Sequence, residues 1–116
     1  MMLGTTLYEI VHIRTDWVLK QGVSEYQTGQ YGKCLDRLTR LGDSLHGFFS
    51  NDFDLAESRY FSGLSLQKME KPAETLAPLE QAAALFTKIE HAKGSADAYF
   101  EFGLVQSKLN SRAKKA

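Results

Sequence analysis

The chain has 116 residues, 43% of them hydrophobic and 11% aromatic, which suits one globular domain with a modest core. Its 14 basic side chains balance its 14 acidic ones, so no net charge favours nucleic acid or an anionic membrane as a partner. Cys34 is the only cysteine, and the chain shows neither a secretory signal pattern nor an apolar run that would span a bilayer, so we expect a cytoplasmic protein.

The opening segment favours a helix. Thr6 and Glu9 have the spacing of a capping box, which predicts a first helix over about residues 7–28. Its first turns, residues 7–13, are also rich in β-branched and aromatic residues, so strand propensity competes there. We favour the helix because an isolated strand in a helical chain would have nothing to pair with. Residues 1–14 are then an N-terminal extension continuous with this helix.

The next two helices have clear signals. Apolar residues recur every three or four positions over residues 31–49, which predicts a second helix with one buried stripe. A cluster of capping residues follows at residues 50–52, and Asp54 stands three positions before Glu57, as in a capping box. The sequence therefore predicts a third helix that begins near this point and runs to about Met69.

Two prolines bear on the fourth helix. Pro72 suits the first turn of a helix, and an apolar stripe continues from there to Ile89. Pro78 falls inside this helix, where it removes a backbone hydrogen bond and crowds the carbonyl of Glu74 at a cost of about 3 kcal/mol. Either a kink at Pro78 or a later helix start would accommodate it, and the sequence alone leaves both open.

The last helix is predicted from Ala96 to about Leu109. Lys93-Gly94-Ser95 indicates a break in front of it. Residues 110–116 are polar and basic, so we expect them to fray, with residues 111–116 as a tail outside the folded domain.

A stretch of sequence recurs at a distance of 40 residues. Residues 56–64 return as residues 96–104, and glycines stand at Gly22, Gly63 and Gly103, which are 41 and 40 residues apart. Such a period is typical of stacked supersecondary units. It predicts two helical hairpins and an unpaired last helix, with each glycine letting a neighbouring helix approach to about 8 to 10 Å. The alternative is a plain helical bundle in which the glycines coincide by chance.

Two segments carry a family resemblance. Gly29-x-Tyr31-x-x-Cys34-x-x-x-Leu38 combines a Gly-x-Tyr turn with small and large apolar positions, and residues 71–89 follow a similar helix pattern. These segments resemble the tetratricopeptide repeat family, in the subset with the longer period of 40 residues. The resemblance covers about residues 15–110. It implies an all-α, TPR-like helical hairpin solenoid of about five helices, or two and a half repeats.

The resemblance also implies a binding groove along the inner faces of the first, third and fifth helices. Its apolar floor would accept an apolar or amphipathic helical segment, with Tyr60 and Phe100 as hot spots. Lys68 and Lys108, one repeat apart, would hold acidic groups at the rim. The groove residues implied are Leu19, Val23, Tyr26, Tyr60, Leu64, Gln67, Lys68, Phe100, Leu104 and Lys108. The alternative is that the apolar members of this set belong to the core.

The function implied is that of an adaptor or scaffold that binds a protein or peptide. A chaperone or regulatory subunit for a secreted or signalling protein is the alternative, and an enzyme built on a helical bundle is a distant one. His12, His46 and His91 have no partner four positions away that would make a metal-binding face. Cys34 fills a small-residue position, which indicates a packed thiol. We therefore expect no catalytic, cofactor or metal site.

The unpaired last helix raises the question of self-association. Its apolar residues need cover, which a dimer contact, a cap or a longer array would supply. A homodimer would use either this helix or the apolar residues of the N-terminal segment. The residues concerned are Leu7, Ile10, Val11 and Ile13 in that segment and Tyr99, Phe102 and Val105 in the last helix.

Overall fold

The computed structural model describes the backbone of residues 2–45 and 51–115 and the side chains of residues 15–44 and 51–113. Over these ranges the chain is all-α. The helices are α1 (Met2–Gln27), α2 (Tyr31–Leu45), α3 (Asp52–Lys68), α4 (Pro72–Lys88) and α5 (Ala92–Lys115). Each helix packs against the next one in sequence, and α1 also contacts α3. The predicted all-α arrangement of helical hairpins is confirmed.

Helix α1 runs without interruption from Met2 to Gln27, so residues 7–13 form helix and not strand. Leu19 packs α1 against α2 in the core. The helix therefore has a packing partner, which an isolated strand would have lacked. His12 and the four apolar residues proposed for dimer formation lie where only the backbone is described. His46, Phe48 and Phe49 lie outside the described residues. None of the described helices has both the length and the apolar character to cross a membrane.

Three chain reversals share one geometry. Gly29, Glu70 and Glu90 each adopt a positive φ, at 81°, 60° and 58°. In each turn this residue donates its N–H to the carbonyl three positions earlier, and the following residue donates to the carbonyl five positions earlier, as His91 does to Phe86 at 2.8 Å. These two bonds define a Schellman motif, which satisfies the last carbonyls of a helix. The α1–α2 and α3–α4 hairpins therefore turn in the same way.

The cap of α3 lies within the cluster of capping residues predicted at residues 50–52. Asn51 is the N-cap: its backbone is extended, and its Oδ1 accepts hydrogen bonds from the N–H groups of Phe53 at 3.0 Å and Asp54 at 3.3 Å. The capping box predicted between Asp54 and Glu57 is wrong, because the helix has already begun at Asp52. An asparagine side chain satisfies two orphan donors at once, so the earlier start is favoured.

The predicted break at Lys93-Gly94-Ser95 is also wrong. Helix α5 begins at Ala92, and the chain reverses at Glu90 instead. His91 precedes the helix and caps it, because the Gly94 N–H donates to His91 Nδ1 at 3.0 Å. A Cβ on Gly94 would lie 2.5 Å from Cδ1 of Phe86, so this buried glycine serves close packing and not chain termination. His91 is thus a capping residue.

The end of α5 extends further than predicted, since the helix continues to Lys115. The segment expected to fray contains no proline or glycine, and its arginine, alanine and lysines are good helix formers. In α4, Pro72 stands at the start as predicted, and the helix runs through Pro78 to Lys88. The later helix start that the sequence left open is therefore not adopted.

Among the described residues, two clusters of buried side chains in the core are joined by a shared residue. The first lies among α1, α2 and α3, and the second among α3, α4 and α5. Leu85 packs against both clusters and joins them. The first cluster contains Leu19, Cys34, Leu38, Leu41 and Leu55, and the second contains Ala56, Ala82, Ala83, Phe86 and Ala98.

Two glycines mark equivalent contacts in the two hairpins. A Cβ on Gly22 would lie 2.5 Å from Leu38 Cδ2, and one on Gly63 would lie 2.8 Å from both Cγ and Cδ2 of Leu79. Both the glycines and the leucines are 41 residues apart, so the same contact recurs once per hairpin. The predicted close approach of a neighbouring helix is confirmed at these two positions. At Gly103 a Cβ would meet no atom of a described residue within 4 Å, so the close approach does not recur there within the part of the chain that the structure describes.

Cys34 is fully buried in the first cluster, as its small-residue position predicted. Burial raises the pKa of the thiol above its ordinary value. A buried thiol with a raised pKa is protonated at neutral pH and is a poor nucleophile. The structure therefore gives Cys34 a packing role.

Glu57 makes stability depend on pH. Burial and the neighbouring Asp54 raise its pKa above the ordinary 4.5, although His91 acts in the opposite direction. A raised carboxyl pKa contributes stability below pH 4.5, and that contribution is lost as pH rises through the folded-state pKa. We expect Glu57→Gln to raise the free energy of unfolding at pH 7 and to have a smaller effect at pH 4. Urea unfolding at both pH values measures this; an equal effect at both would contradict it.

Candidate functional site

The first helices of the hairpins, α1 and α3, together with α5, line a common pocket of about 450 Å³. We call it the inner groove. Six of the ten groove residues implied by the sequence line it, and Glu101 is an addition. The lining residues are Tyr26, Tyr60, Leu64, Gln67, Lys68, Glu101 and Lys108.

Aromatic rings form one side of the inner groove. The ring of Phe61 lies between two tyrosines, with its centroid 5.6 Å from that of Tyr26 and 5.4 Å from that of Tyr60, both in edge-to-face geometry. Tyr26 also contacts Tyr31 at 5.5 Å. Such pairs stabilise beyond the area that they bury. The packing fixes the two groove tyrosines on a rigid base, because Phe61 also packs against the first core cluster.

The tyrosine hydroxyls remain neutral hydrogen-bonding groups. Burial, with the nearby carboxylates of Glu101 and Asp97 acting in the same direction, raises the pKa of Tyr60 to about 12. Burial and the charges of Tyr31 and Glu101 also raise the pKa of Tyr26. Both phenols are protonated at neutral pH, so each can donate a hydrogen bond to a ligand.

Two cations stand at the rim of the inner groove. Lys68 on α3 and Lys108 on α5 are exposed, and neither takes part in an ion pair among the described residues. They are 40 residues apart and hold equivalent positions in the repeat. Glu101 is the one carboxylate that lines the pocket with them. The groove therefore combines aromatic surface, a leucine and two available ammonium groups.

The remaining four implied residues lie elsewhere. Leu19 is 6% exposed and belongs to the first core cluster, so the core alternative applies to it. Val23 is half-buried on α1 and does not line the pocket. Phe100 and Leu104 are on α5 but point away from the pocket, with exposed fractions of 64% and 40%.

Sequence reasoning missed Glu101. Its equivalent one period earlier is Phe61, an aromatic residue that packs against α1. The replacement of that aromatic residue by a carboxylate is a signal that this position of α5 faces a more polar environment. A position-by-position comparison of the two copies would have identified it.

A larger pocket of about 740 Å³ lies between α1 and α2. Its lining includes Arg37 and Arg40, but both guanidinium groups already have carboxylate partners. Arg37 donates to both carboxylate oxygens of Glu25 at 2.8 and 3.2 Å, and Arg40 lies 3.2 Å from Asp36. Lys33 is the one cation of this lining without an ion pair among the described residues, whereas the inner groove has two such cations, so we regard the smaller inner groove as the better site for an acidic ligand.

No metal-binding cluster of three or more His, Cys, Asp or Glu side chains occurs in the part of the chain whose side chains are described. Comparison with protein-family models, curated proteins and solved structures returned no match. The geometry of the described residues is therefore what bears on function.

Proposed function

We propose that the chain is a helical-repeat adaptor of the tetratricopeptide type, which binds a peptide or helical segment of another protein in the inner groove. The observation that carries this proposal is the convergence of α1, α3 and α5 on one pocket. The repeated glycine–leucine contacts at Gly22 and Gly63 support a hairpin repeat with such a groove.

The lining indicates the chemistry of the ligand. The rings of Tyr26 and Tyr60, beside the buried Leu64, provide surface for an apolar or aromatic side chain, and the phenols can donate hydrogen bonds to backbone carbonyls. Lys68 and Lys108 favour acidic groups beside that side chain. The ligand is thus an acidic segment with an apolar anchor.

Selection from a random peptide display library tests this proposal. We expect the selected peptides to be enriched in Asp and Glu around an aromatic or aliphatic residue. Lys68→Glu/Lys108→Glu is then expected to weaken their binding by about tenfold or more, which corresponds to about 1.4 kcal/mol.

Lys71→Glu/Lys93→Glu is the matched control, because both lysines are exposed, lie outside the pocket and give the same change of charge. We expect this variant to bind the selected peptides within about twofold of the wild type, since neither side chain lines the pocket and exposed charges are screened by salt. Equal weakening by both double variants, or by neither, would contradict the groove assignment.

A further inference from the structure

Helix α5 exposes a band of apolar and small residues to solvent. Tyr99, Phe100 and Leu104 are 53%, 64% and 40% exposed, and Ala96 and Gly103 are exposed among them. We call these five residues the open face of α5. This band is separate from the inner groove, since none of the five lines that pocket.

The sequence repeat shows how the same positions are used in α3. The equivalents of Ala96, Gly103 and Leu104 are Ala56, Gly63 and Leu64, all of which are buried. Helix α4 covers Ala56 and Gly63. Ala56 packs with Ala82 and Ala83 in the second core cluster, and Leu79 lies on Gly63. No helix among the described residues covers α5 in that way.

The repeat indicates what kind of helix would cover α5. In both hairpins a leucine of the second helix lies directly over the glycine of the first. Above Gly103 no described residue fills the corresponding space, and Tyr99 and Phe100 stand on either side of it by helical periodicity. We propose that the open face of α5 binds an amphipathic helix of a partner protein, antiparallel to α5, with a leucine over Gly103.

Charge supports the antiparallel orientation. Over the whole of α5, the charged residues of the C-terminal half are all basic, whereas Asp97 and Glu101 outnumber Lys93 in the N-terminal half. An antiparallel helix with acidic residues in its first turn and basic residues in its last turn complements this pattern and its own dipole. Helix α4 has this arrangement, with Glu74 in its first turn and Lys88 in its last.

The α3–α4 hairpin also has an ion pair between two helix ends, although Ala92 stands in α5 at the position equivalent to its acidic member. Lys88 at the end of α4 lies 3.1 Å from Asp52 at the start of α3. The partner helix is therefore expected to resemble α4: leucine, then small residues one turn later, then an aromatic residue, as in Leu79, Ala82, Ala83 and Phe86.

A second copy of the chain does not offer such a helix. Helix α2 lies between α1 and α3, and α4 lies between α3 and α5, so both second helices are already packed on two sides. The other large exposed hydrophobic residues in the described part of the chain are Phe53, at 39% on α3, and Trp17, at 57% on α1. The equivalents of Trp17, Ser58 and Ala98, are fully buried. Phe53 and Trp17 both belong to first helices, which are the wrong type to cover the open face.

A peptide with the α4 sequence, residues 72–88, is the appropriate probe. Labelled with fluorescein, it is expected to show saturable binding to the whole chain by fluorescence anisotropy. The same peptide carrying Leu79→Ala is expected to bind about tenfold or more weakly, because it lacks the side chain that fills the space over Gly103.

Two variants of the protein locate the binding site. Gly103→Gln fills the empty space and is expected to weaken peptide binding by about tenfold or more. Gly32→Gln is the matched control, because Gly32 is also an exposed helical glycine whose Cβ would meet nothing within 4 Å. Circular dichroism should show both variants as helical as the wild type.

Absence of saturable binding, or equal binding by the wild type and Gly103→Gln, would overturn the proposal. Sedimentation showing a wild-type dimer that Gly103→Gln converts to monomer would overturn it as well, because a second copy would then be the occupant. The lysine variants of the inner groove report on a different surface, so failure here leaves that test intact.

Discussion

Replacing Leu79 by alanine is expected to lower the free energy of unfolding by about 2 to 5 kcal/mol. Leu79 is fully buried in the middle of α4 and occupies the space over Gly63. Removing its side chain loses the transfer free energy of the buried atoms and leaves a cavity, because a glycine opposite offers nothing to fill it. Urea unfolding followed by circular dichroism at 222 nm gives the change, provided that the dependence on urea stays constant.

Leu38→Ala, in the equivalent position of the first hairpin, is expected to have a similar cost, since Leu38 is fully buried over Gly22. Leu104→Ala is the contrasting control. Leu104 is 40% exposed on the open face of α5, so its loss should cost less than about 1 kcal/mol. A Leu79→Ala effect as small as that of Leu104→Ala would contradict the described packing of α4.

The second large effect is a difference between two glycines. We expect Gly63→Ala to be less stable than Gly103→Ala by about 1 to 3 kcal/mol, which is the usual cost of overpacking a core. The new Cβ at Gly63 would lie 2.8 Å from Leu79 Cγ, and the buried leucine has no free space in which to move. Both variants gain the same helix propensity, so that term cancels in the comparison.

Gly103→Ala alone is expected to raise the free energy of unfolding by up to about 1 kcal/mol, because alanine is the better helix former and its Cβ meets nothing. Thermal or urea unfolding of the two variants beside the wild type measures both changes. A larger loss of stability from Gly103→Ala than from Gly63→Ala would contradict this expectation. It would mean that another part of the free protein covers α5 at Gly103.

The repeat was the most reliable guide to the fold. A glycine in each first helix marks the point of closest approach because only the absence of a side chain lets a neighbour come so near, and that requirement can be predicted without coordinates. The contacts of Gly22 and Gly63 follow it. The sequence could not show that Gly103 differs from Gly22 and Gly63. Whether this glycine is covered depends on a neighbouring helix and not on α5 itself.

The turn before α5 shows the limit of local signals. Gly94 was interpreted as a helix breaker, whereas the chain reverses at Glu90, a non-glycine residue with a φ of 58°. Glutamate has no preference for that conformation, so its identity gives no turn signal. The turn is determined by the Schellman hydrogen bonds of the backbone and by the packing of Gly94 against Phe86. The first is independent of side-chain identity and the second is a tertiary contact, so local sequence does not indicate either.

Three residues at equivalent positions of the repeat differ in how far they are buried. Leu19, Tyr60 and Phe100 are equivalent by the repeat, yet they are buried, half-buried and exposed respectively. Their surroundings differ because each first helix has a different set of neighbours. A register argument from sequence assigns all three to one groove, and the structure brings only Tyr60 into it.

A methyl-labelled nuclear Overhauser experiment tests the central claim most directly, since it observes the two glycine–leucine contacts and the open glycine together. We predict cross-peaks from the Leu38 methyls to the Gly22 Hα protons and from the Leu79 methyls to those of Gly63. The Hα protons of Gly103 should show no cross-peak to a methyl of another helix in the free protein, and should gain one when the α4 peptide is added. Absence of either leucine contact, or a cross-peak from another helix to Gly103 in the free protein, would contradict the account.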